Sequence, residues 1–206
     1  MRSYVEIVLR RNRGWPWPED SWGLTPMYGE DGWCHTCGVP KHPQTGSIVL
    51  QRKGLKVEGA WVPNWQFDVY CVAQSLADAA RERFEIDTRP VASVGDGSLN
   101  ASQVVIESSN AEWFNPANLE RLIRPIHGEA SETCSECGVT RWMPVGMDVL
   151  PAPPVALLEG QPPVLASPEW FGAGKRSFRQ IIWRRDVADF LLESSPKDFK
   201  IQELIW

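Results

Sequence analysis

The chain has 206 residues, of which 43% are apolar, so it is long enough to bury a core as one domain or two small ones. Its 21 Lys and Arg residues against 26 Asp and Glu residues give a net charge of −5. This charge opposes general nucleic-acid binding and suits a basic protein partner or simply solubility. The composition excludes a disordered chain, and no apolar run is long enough to span a membrane.

The N-terminal segment predicts a β-strand followed by a long connection. Residues 3–10 are rich in strand-forming side chains. Their apolar part is too short and too closely flanked by charge for a signal peptide, so we expect a cytoplasmic protein. Residues 11–43 are dense in Gly, Pro, Trp and acidic side chains. Pro16 and Pro18 favour an extended, turn-rich path over a helix there.

Tryptophan is unusually frequent, with 11 copies in the chain. Large aromatic side chains in loops either fill a loop-rich core or act as binding anchors. Four of them fall in the N-terminal segment: Trp15, Trp17, Trp22 and Trp33.

A five-residue pattern occurs twice, as Cys34-His35-Thr36-Cys37-Gly38 and as Cys134-Ser135-Glu136-Cys137-Gly138. In each copy the spacing lets two thiolates face one point, and the glycine can take the positive φ of a tight turn. Two such turns complete the four-cysteine arrangement that is usual for a structural zinc ion. Because about 100 residues separate the copies, the metal would clip distant parts of the chain together. The predicted Zn²⁺ ligands are Cys34, Cys37, Cys134 and Cys137.

Other uses of these cysteines remain open, namely disulfides, an iron site or a redox pair. A thioredoxin-like pair usually opens a helix, whereas Cys37 is followed by Gly38-Val39-Pro40. A reducing compartment also favours metal over disulfides. The fifth cysteine, Cys71, lies in an apolar run and is predicted to be a buried hydrophobic residue.

Two segments predict the same strand-helix-strand unit. Residues 67–82 align without gaps with residues 178–193, with four identical positions. Each segment predicts a strand, an N-cap at Ser75 or Asp186, and a short amphipathic helix. Further strands are predicted at 86–91 and 199–206. Any two segments with a strand, a cap and a helix in succession could give the same match. Duplication and this general similarity are therefore both possible explanations.

The remaining segments add strands and loops. Strands are predicted at 47–52, ended by Gly54, and at 103–107, while 118–124 fits a helix or a strand. Residues 151–168 hold six prolines and predict an irregular connection. Together these segments predict a single α+β domain over 1–206, mostly β with two short helices. In it, two β-α-β-like halves are tied by a four-cysteine zinc-ribbon-like site. The halves would span about 30–95 and 130–206.

Other chemical signals are weak. His127-Gly128-Glu129 before Cys134 partly matches a zinc deaminase, but the spacing is wrong and the second cysteine pair would close the site. His35 and His42 fit the metal spacing less well than the cysteines do. A cluster of basic residues is best explained by solvation or by pairing with acids, and comprises Lys175, Arg176, Arg179, Arg184 and Arg185.

The two CxxCG copies, the opening strand and the ending from Phe178 to Leu204 resemble the double-CXXCG motif immunity proteins of the SitI type. The resemblance implies a cytoplasmic protein that binds and neutralises a cognate protein toxin, without catalysis of its own. No membrane partner is expected, and the acidic charge disfavours a nucleic-acid partner. The alternative interpretation is a zinc-ribbon-like module that binds nucleic acid or acts in transcription.

Overall fold

The computed structural model describes residues 3–10, 18, 20–51, 57–95 and 97–206. Within these ranges it contains four α-helices: α1 (Asp20–Tyr28), α2 (Gln74–Phe84), α3 (Pro116–His127) and α4 (Arg185–Ser194). A short 3-10 helix covers Val155–Leu157. The expected α+β fold with a majority of strands is confirmed, with four helices in place of the two predicted.

Fourteen strands form three sheets within the described ranges. The strands are β1 (Tyr4–Leu9), β2 (Val49–Leu50), β3 (Ala60–Trp61), β4 (Cys71–Ala73), β5 (Thr88–Ser93), β6 (Gly97–Val104), β7 (Glu107–Ser108), β8 (Ser131–Thr133), β9 (Thr140–Trp142), β10 (Val164–Ala166), β11 (Trp170–Ala173), β12 (Arg176–Phe178), β13 (Ile181–Arg184) and β14 (Phe199–Glu203). Two sheets have five strands, in the orders β14-β1-β13-β10-β7 and β2-β5-β6-β4-β3, and the third has the order β12-β11-β9-β8.

The two five-stranded sheets contain matching strand-helix-strand units. In one, β4 leads into α2 and then β5, and β6 lies between the two strands, antiparallel to both. In the other, β13 leads into α4 and then β14, and β1 lies between them, antiparallel to both. The strands of each unit therefore run parallel, and the helices begin at the aligned positions Gln74 and Arg185. The two β-α-β-like halves are confirmed, whereas their origin by duplication stays a prediction.

The predicted N-caps are wrong. Ser75 and Asp186 are each the second residue of their helix, because strand and helix adjoin without a loop. The N-cap positions are Ala73 and Arg184, and neither makes a side-chain capping hydrogen bond. The Asp186 carboxylate instead accepts hydrogen bonds from Arg184 Nε at 2.6 Å and from the Val187 N–H at 2.9 Å.

Helix α1 corrects the prediction of an extended connection. It begins two residues after Pro18 and contains Pro26. It exists because Leu24 and Met27, 6% and 1% exposed, pack into a hydrophobic cluster, and such burial outweighs local propensity. Trp33 fills the same cluster. Trp15, Trp17 and the Trp22 side chain lie outside the described residues.

The other predicted strands are found with shifted bounds. The segment 47–52 contributes only β2, and Arg52 and Gly54 lie outside the described residues. The strand predicted at 103–107 is divided between β6 and β7, and the ambiguous segment 118–124 is part of helix α3. Residues 151–168 are irregular apart from the 3-10 helix and β10.

The two halves meet through residues that the alignment pairs. The rings of Phe67 and Phe178 are 5.3 Å apart in an edge-on arrangement. Their neighbours also touch, since the Arg179 N–H donates to Asp68 Oδ2 at 3.2 Å. This junction lies at the Trp65–Asp68 turn and the β11-β12 hairpin, between the sheets that carry the two helices.

Candidate metal centre

Both cysteine pairs form the same tight turn. In the first, the Cys34 N–H donates to the Val39 carbonyl at 2.9 Å and the Gly38 N–H to the Cys34 carbonyl at 2.7 Å. In the second, the Cys134 N–H donates to Val139 at 3.0 Å and the Gly138 N–H to Cys134 at 2.9 Å. The glycines have φ of 78° and 73°, as the sequence predicts. The two copies are therefore equivalent in backbone geometry.

The structure brings the four predicted ligands together. Their sulfur atoms all lie within 4.8 Å of one another. The Sγ atoms of Cys34 and Cys134 are 3.8 Å apart, and those of Cys37 and Cys137 are 3.6 Å apart. A tetrahedron of sulfurs around zinc at about 2.3 Å has edges of about 3.8 Å. A disulfide needs about 2.05 Å, so these distances fit a shared metal and exclude a bond between the facing sulfurs.

The chemistry of the thiols also fits a cation. Burial raises the pKa of the Cys37 and Cys137 thiols, so these sulfurs resist ionisation by themselves. At Cys134 the backbone N–H groups of Cys137 and Glu136 lower the pKa to about 7, as hydrogen bonds to a thiolate do. Neighbouring thiolates repel one another, so four packed cysteines ionise together only when a positive ion compensates their charge.

Polar contacts hold the two turns against each other. The Arg141 guanidinium, 2% exposed, donates to the Cys37 carbonyl at 3.2 Å and to the Gly174 carbonyl at 2.6 Å. The Ser177 hydroxyl donates to the same Cys37 carbonyl at 2.7 Å. At the exposed tips the Thr36 hydroxyl donates to the Glu136 carboxylate. Side chains around the ligands thus orient the first turn relative to the second.

Apolar side chains enclose the cluster on its inner side. Val39 is 4% exposed, and Val139 and Trp170 pack against the cysteines. Cys34 and Cys37 are fully buried, and Cys137 is only half-buried. The site is therefore dry on one side and close to solvent at the tips of both turns.

The histidines make other contacts. His35 stacks on Trp33 with ring centroids 4.0 Å apart, and its Nε2 is 2.8 Å from the Glu30 carbonyl oxygen. The Nδ1 atom of His42 lies 2.8 Å from the carbonyl oxygen of Pro43. His127 lies exposed at the end of α3. None of these ring nitrogens belongs to the four-sulfur group found among the described residues.

Cys71 and the basic cluster behave as the sequence predicts. Cys71 is fully buried in β4, and burial raises the pKa of its thiol. Arg184 forms an ion pair with Asp186, and Arg185 pairs with Glu203. Burial raises the pKa of the Asp68 carboxyl, and the nearby guanidinium groups of Arg176 and Arg179 oppose that rise.

Sequence reasoning did not find Arg141 and Ser177. They contact Cys37 across 104 and 140 positions of the chain, so no local pattern links them to it. The nearest signal is that Arg141 follows the second cysteine pair within β9.

Comparison of the chain with protein-family models, with curated proteins and with solved structures gave no match. Within the described ranges, no helix combines the length and the apolar character needed to cross a membrane. The geometry and chemistry of the site therefore have to support any functional conclusion.

Proposed function

We propose that this protein is an immunity protein that binds one cognate toxin protein in the cytoplasm and neutralises it by occupying its surface. The observation that carries the proposal is the meeting of four thiols from two CxxCG copies about 100 residues apart. That paired motif is the feature on which the resemblance to the double-CXXCG immunity proteins rests.

In this proposal the four cysteines hold one structural zinc ion. Four sulfur ligands close the coordination shell, so the metal has no open position for substrate or reactive water. Its role is to clip the two halves together and to keep the binding surface rigid, which lowers the entropy lost on association. The protein itself performs no catalysis.

The charge of the molecule supports a protein partner. The net charge of −5 becomes about −7 with four thiolates and one zinc ion. An acidic protein is steered towards a basic partner, such as a nucleic-acid-cleaving toxin, and associates faster at low salt.

The alternative, a zinc-ribbon-like module for nucleic acid, is less well supported. Arg184 and Arg185 pair with Asp186 and Glu203, which leaves less positive charge for phosphate. Binding that weakens steeply with salt and scales with the length of DNA or RNA would favour this alternative.

The experiment is a protection assay in bacteria that express, as the candidate toxin, the product of a gene adjacent to this one. We expect the wild-type protein to restore growth and Cys34→Ser to lose zinc and protection together, because a three-ligand site no longer closes. Cys71→Ala is the matched control, since it removes a buried thiol outside the cluster. Absence of protection and of toxin binding by the wild type would contradict the immunity role. A zinc-free Cys34→Ser protein that stays folded and protective would contradict the role of the metal.

A further inference from the structure

A cleft of about 630 Å³ opens where the three sheets meet. One wall is β1, another is the segment between β3 and β4, and the third is the β11-β12 hairpin with the residues that follow it. Clefts of this size between packed units commonly bind small ligands or single anchor side chains of a partner. The cleft is separate from the four-cysteine cluster, whose residues do not line it.

Two aromatic side chains stand exposed at this cleft. Trp65 and Phe67 are 49% and 43% exposed, and their rings contact each other at 6.1 Å. Phe67 also contacts the ring of Phe178. Phe178 in turn stacks on the fully buried Phe171, with ring centroids 6.2 Å apart. A rigid aromatic row thus runs from the core to solvent, and exposed tryptophans with such support are typical binding anchors.

The backbone of Trp65 is strained. Its φ is 62°, and among the described residues Glu85, with φ 58°, is the other non-glycine residue with positive φ. A bulky residue in this conformation costs free energy, and such residues concentrate at functional sites. Glu85 has an ordinary explanation because it caps the end of helix α2. Trp65 caps no helix, and its strained backbone lies at the cleft that its side chain lines.

Positive charge lines the same cleft. Arg176 and Arg179 both contribute to its wall, and burial lowers the pKa of both guanidinium groups, to about 10 for Arg176. Asp68 is the acid whose charge acts on both. Arg179 lies 4.2 Å above the Trp170 ring, and its Nε is buried without a hydrogen-bond acceptor in the part of the chain that the structure describes.

Glu6 on β1 is the acid among the described residues that line the cleft. Burial is the main reason that the pKa of Glu6 rises to about 7, and Asp148 raises it further, while the Met147 backbone and Lys200 oppose the rise. Of the charged residues that line the cleft in the part of the chain that the structure describes, Arg176 and Arg179 are basic and Glu6 is acidic. The lining therefore holds more basic than acidic side chains.

We propose that this cleft receives an apolar side chain of a partner polypeptide that carries a carboxylate next to it. The apolar side chain packs against Trp65 and Phe67, and the carboxylate accepts hydrogen bonds from the half-buried Arg179 guanidinium. The open, aromatic rim suits a protruding segment better than a fully enclosed small molecule. The inference rests on the proposed function in one respect, that the partner is a protein.

Three probes with the same phenylalkyl body test the chemistry: 4-phenylbutyrate, 4-phenylbutanamide and 4-phenylbutylamine, each titrated into the zinc-loaded full chain and followed by NMR. We expect the carboxylate to bind about tenfold more tightly than the amide, and the amine to bind weakest. Capped nonapeptides with a central Phe-Asp, Phe-Asn or Phe-Lys in a Gly-Ser background should follow the same order. Equal binding of the three charges overturns the proposal, and so does binding of the free acid without the capped peptide.

Variants assign the contacts. Arg179→Gln should abolish the preference for carboxylate, whereas Arg185→Gln, which removes the same charge outside the cleft, should keep it. Trp65→Gly should weaken all probes about tenfold without lowering the thermal midpoint, because glycine relieves the strain. Glu85→Gly relieves the same strain outside the cleft and should leave probe binding unchanged. A carboxylate preference that survives Arg179→Gln, or unchanged binding in Trp65→Gly, overturns the proposal.

These measurements use no toxin, so they separate this inference from the proposed function. Probes that fail to bind, in a protein that still protects cells, overturn the cleft alone. Probes that bind as expected, in a protein that neutralises no toxin, support the cleft and overturn the immunity role alone.

Discussion

At the scale of single residues, the two glycines of the cysteine turns differ in one respect. Both have positive φ, 78° at Gly38 and 73° at Gly138. A Cβ atom at Gly38 would lie 2.5 Å from the Lys175 carbonyl oxygen, whereas one at Gly138 would meet no atom within 4 Å. The first turn therefore needs glycine for its conformation and for close packing, and the second needs it for its conformation alone.

This difference predicts unequal costs for the same substitution. Gly138→Ala should lower the free energy of unfolding by about 1 kcal/mol, the usual cost of a left-handed alanine. Gly38→Ala should cost about 3 kcal/mol or more, since the hairpin that carries Lys175 must also move. Urea unfolding of the zinc-loaded variants measures both. Equal losses would show that Lys175 does not pack against the turn.

Glu6 makes stability depend on pH. Its pKa rises from the ordinary value of 4.5 to about 7 in the folded protein, so folding favours the protonated form. The stabilisation is complete below about pH 4.5 and is lost as pH rises towards 7. Glu6→Gln should therefore raise the free energy of unfolding at pH 8 by about 2 kcal/mol and change it little at pH 4.5. Unfolding curves of both proteins at the two pH values check this, and the same gain at both would contradict the assignment.

At the scale of elements, short-range patterns predicted helices α2 and α4 and strand β1. Where they failed, distant contacts decided the structure. The caps at Ser75 and Asp186 were misplaced because each helix continues directly from its strand. Helix α1 was missed because its stability comes from burial. The position of β1 between β13 and β14 is a pairing across nearly the whole chain, which no local pattern encodes.

Arg141 joins four elements: its own strand β9, strand β8 through an ion pair with Glu132, the first cysteine turn, and the β11-β12 hairpin. Arg141→Met should lower the free energy of unfolding by about 3 kcal/mol, because buried carbonyl groups lose their donor. It should also weaken zinc retention about tenfold, as loss of a supporting contact does at metal sites.

Arg124→Met is the matched control. Its guanidinium pairs with Glu120 on the exposed face of α3, with both side chains more than half exposed, so its loss should cost less than about 0.5 kcal/mol. Competition with a colorimetric zinc chelator measures retention. Equal behaviour of the two variants would mean that Arg141 does not support the metal turn.

At the scale of the whole molecule, the sequence predicted the four cysteines because their spacing is a local pattern with one dominant chemical meaning. The surroundings could not be predicted, since Arg141 and Ser177 reach Cys37 from 104 and 140 positions away. The cleft beside Trp65 was equally hidden, because its walls come from all three sheets. Core filling is confirmed for Trp33, Trp61, Trp113 and Trp183, while Trp65 and Trp206 are exposed. The role of exposed tryptophans as binding anchors stays a prediction.

The central claim is that one metal, bound by four thiolates, clips the two halves together. Elemental analysis of protein purified without added metal, combined with X-ray absorption at the zinc edge, tests it most directly. We predict one zinc per chain with four sulfur neighbours at about 2.3 Å, because the sulfur positions already match the edges of such a tetrahedron. Protein without zinc, or zinc with nitrogen or oxygen in its first shell, would contradict a closed structural site and would make catalysis the next property to test.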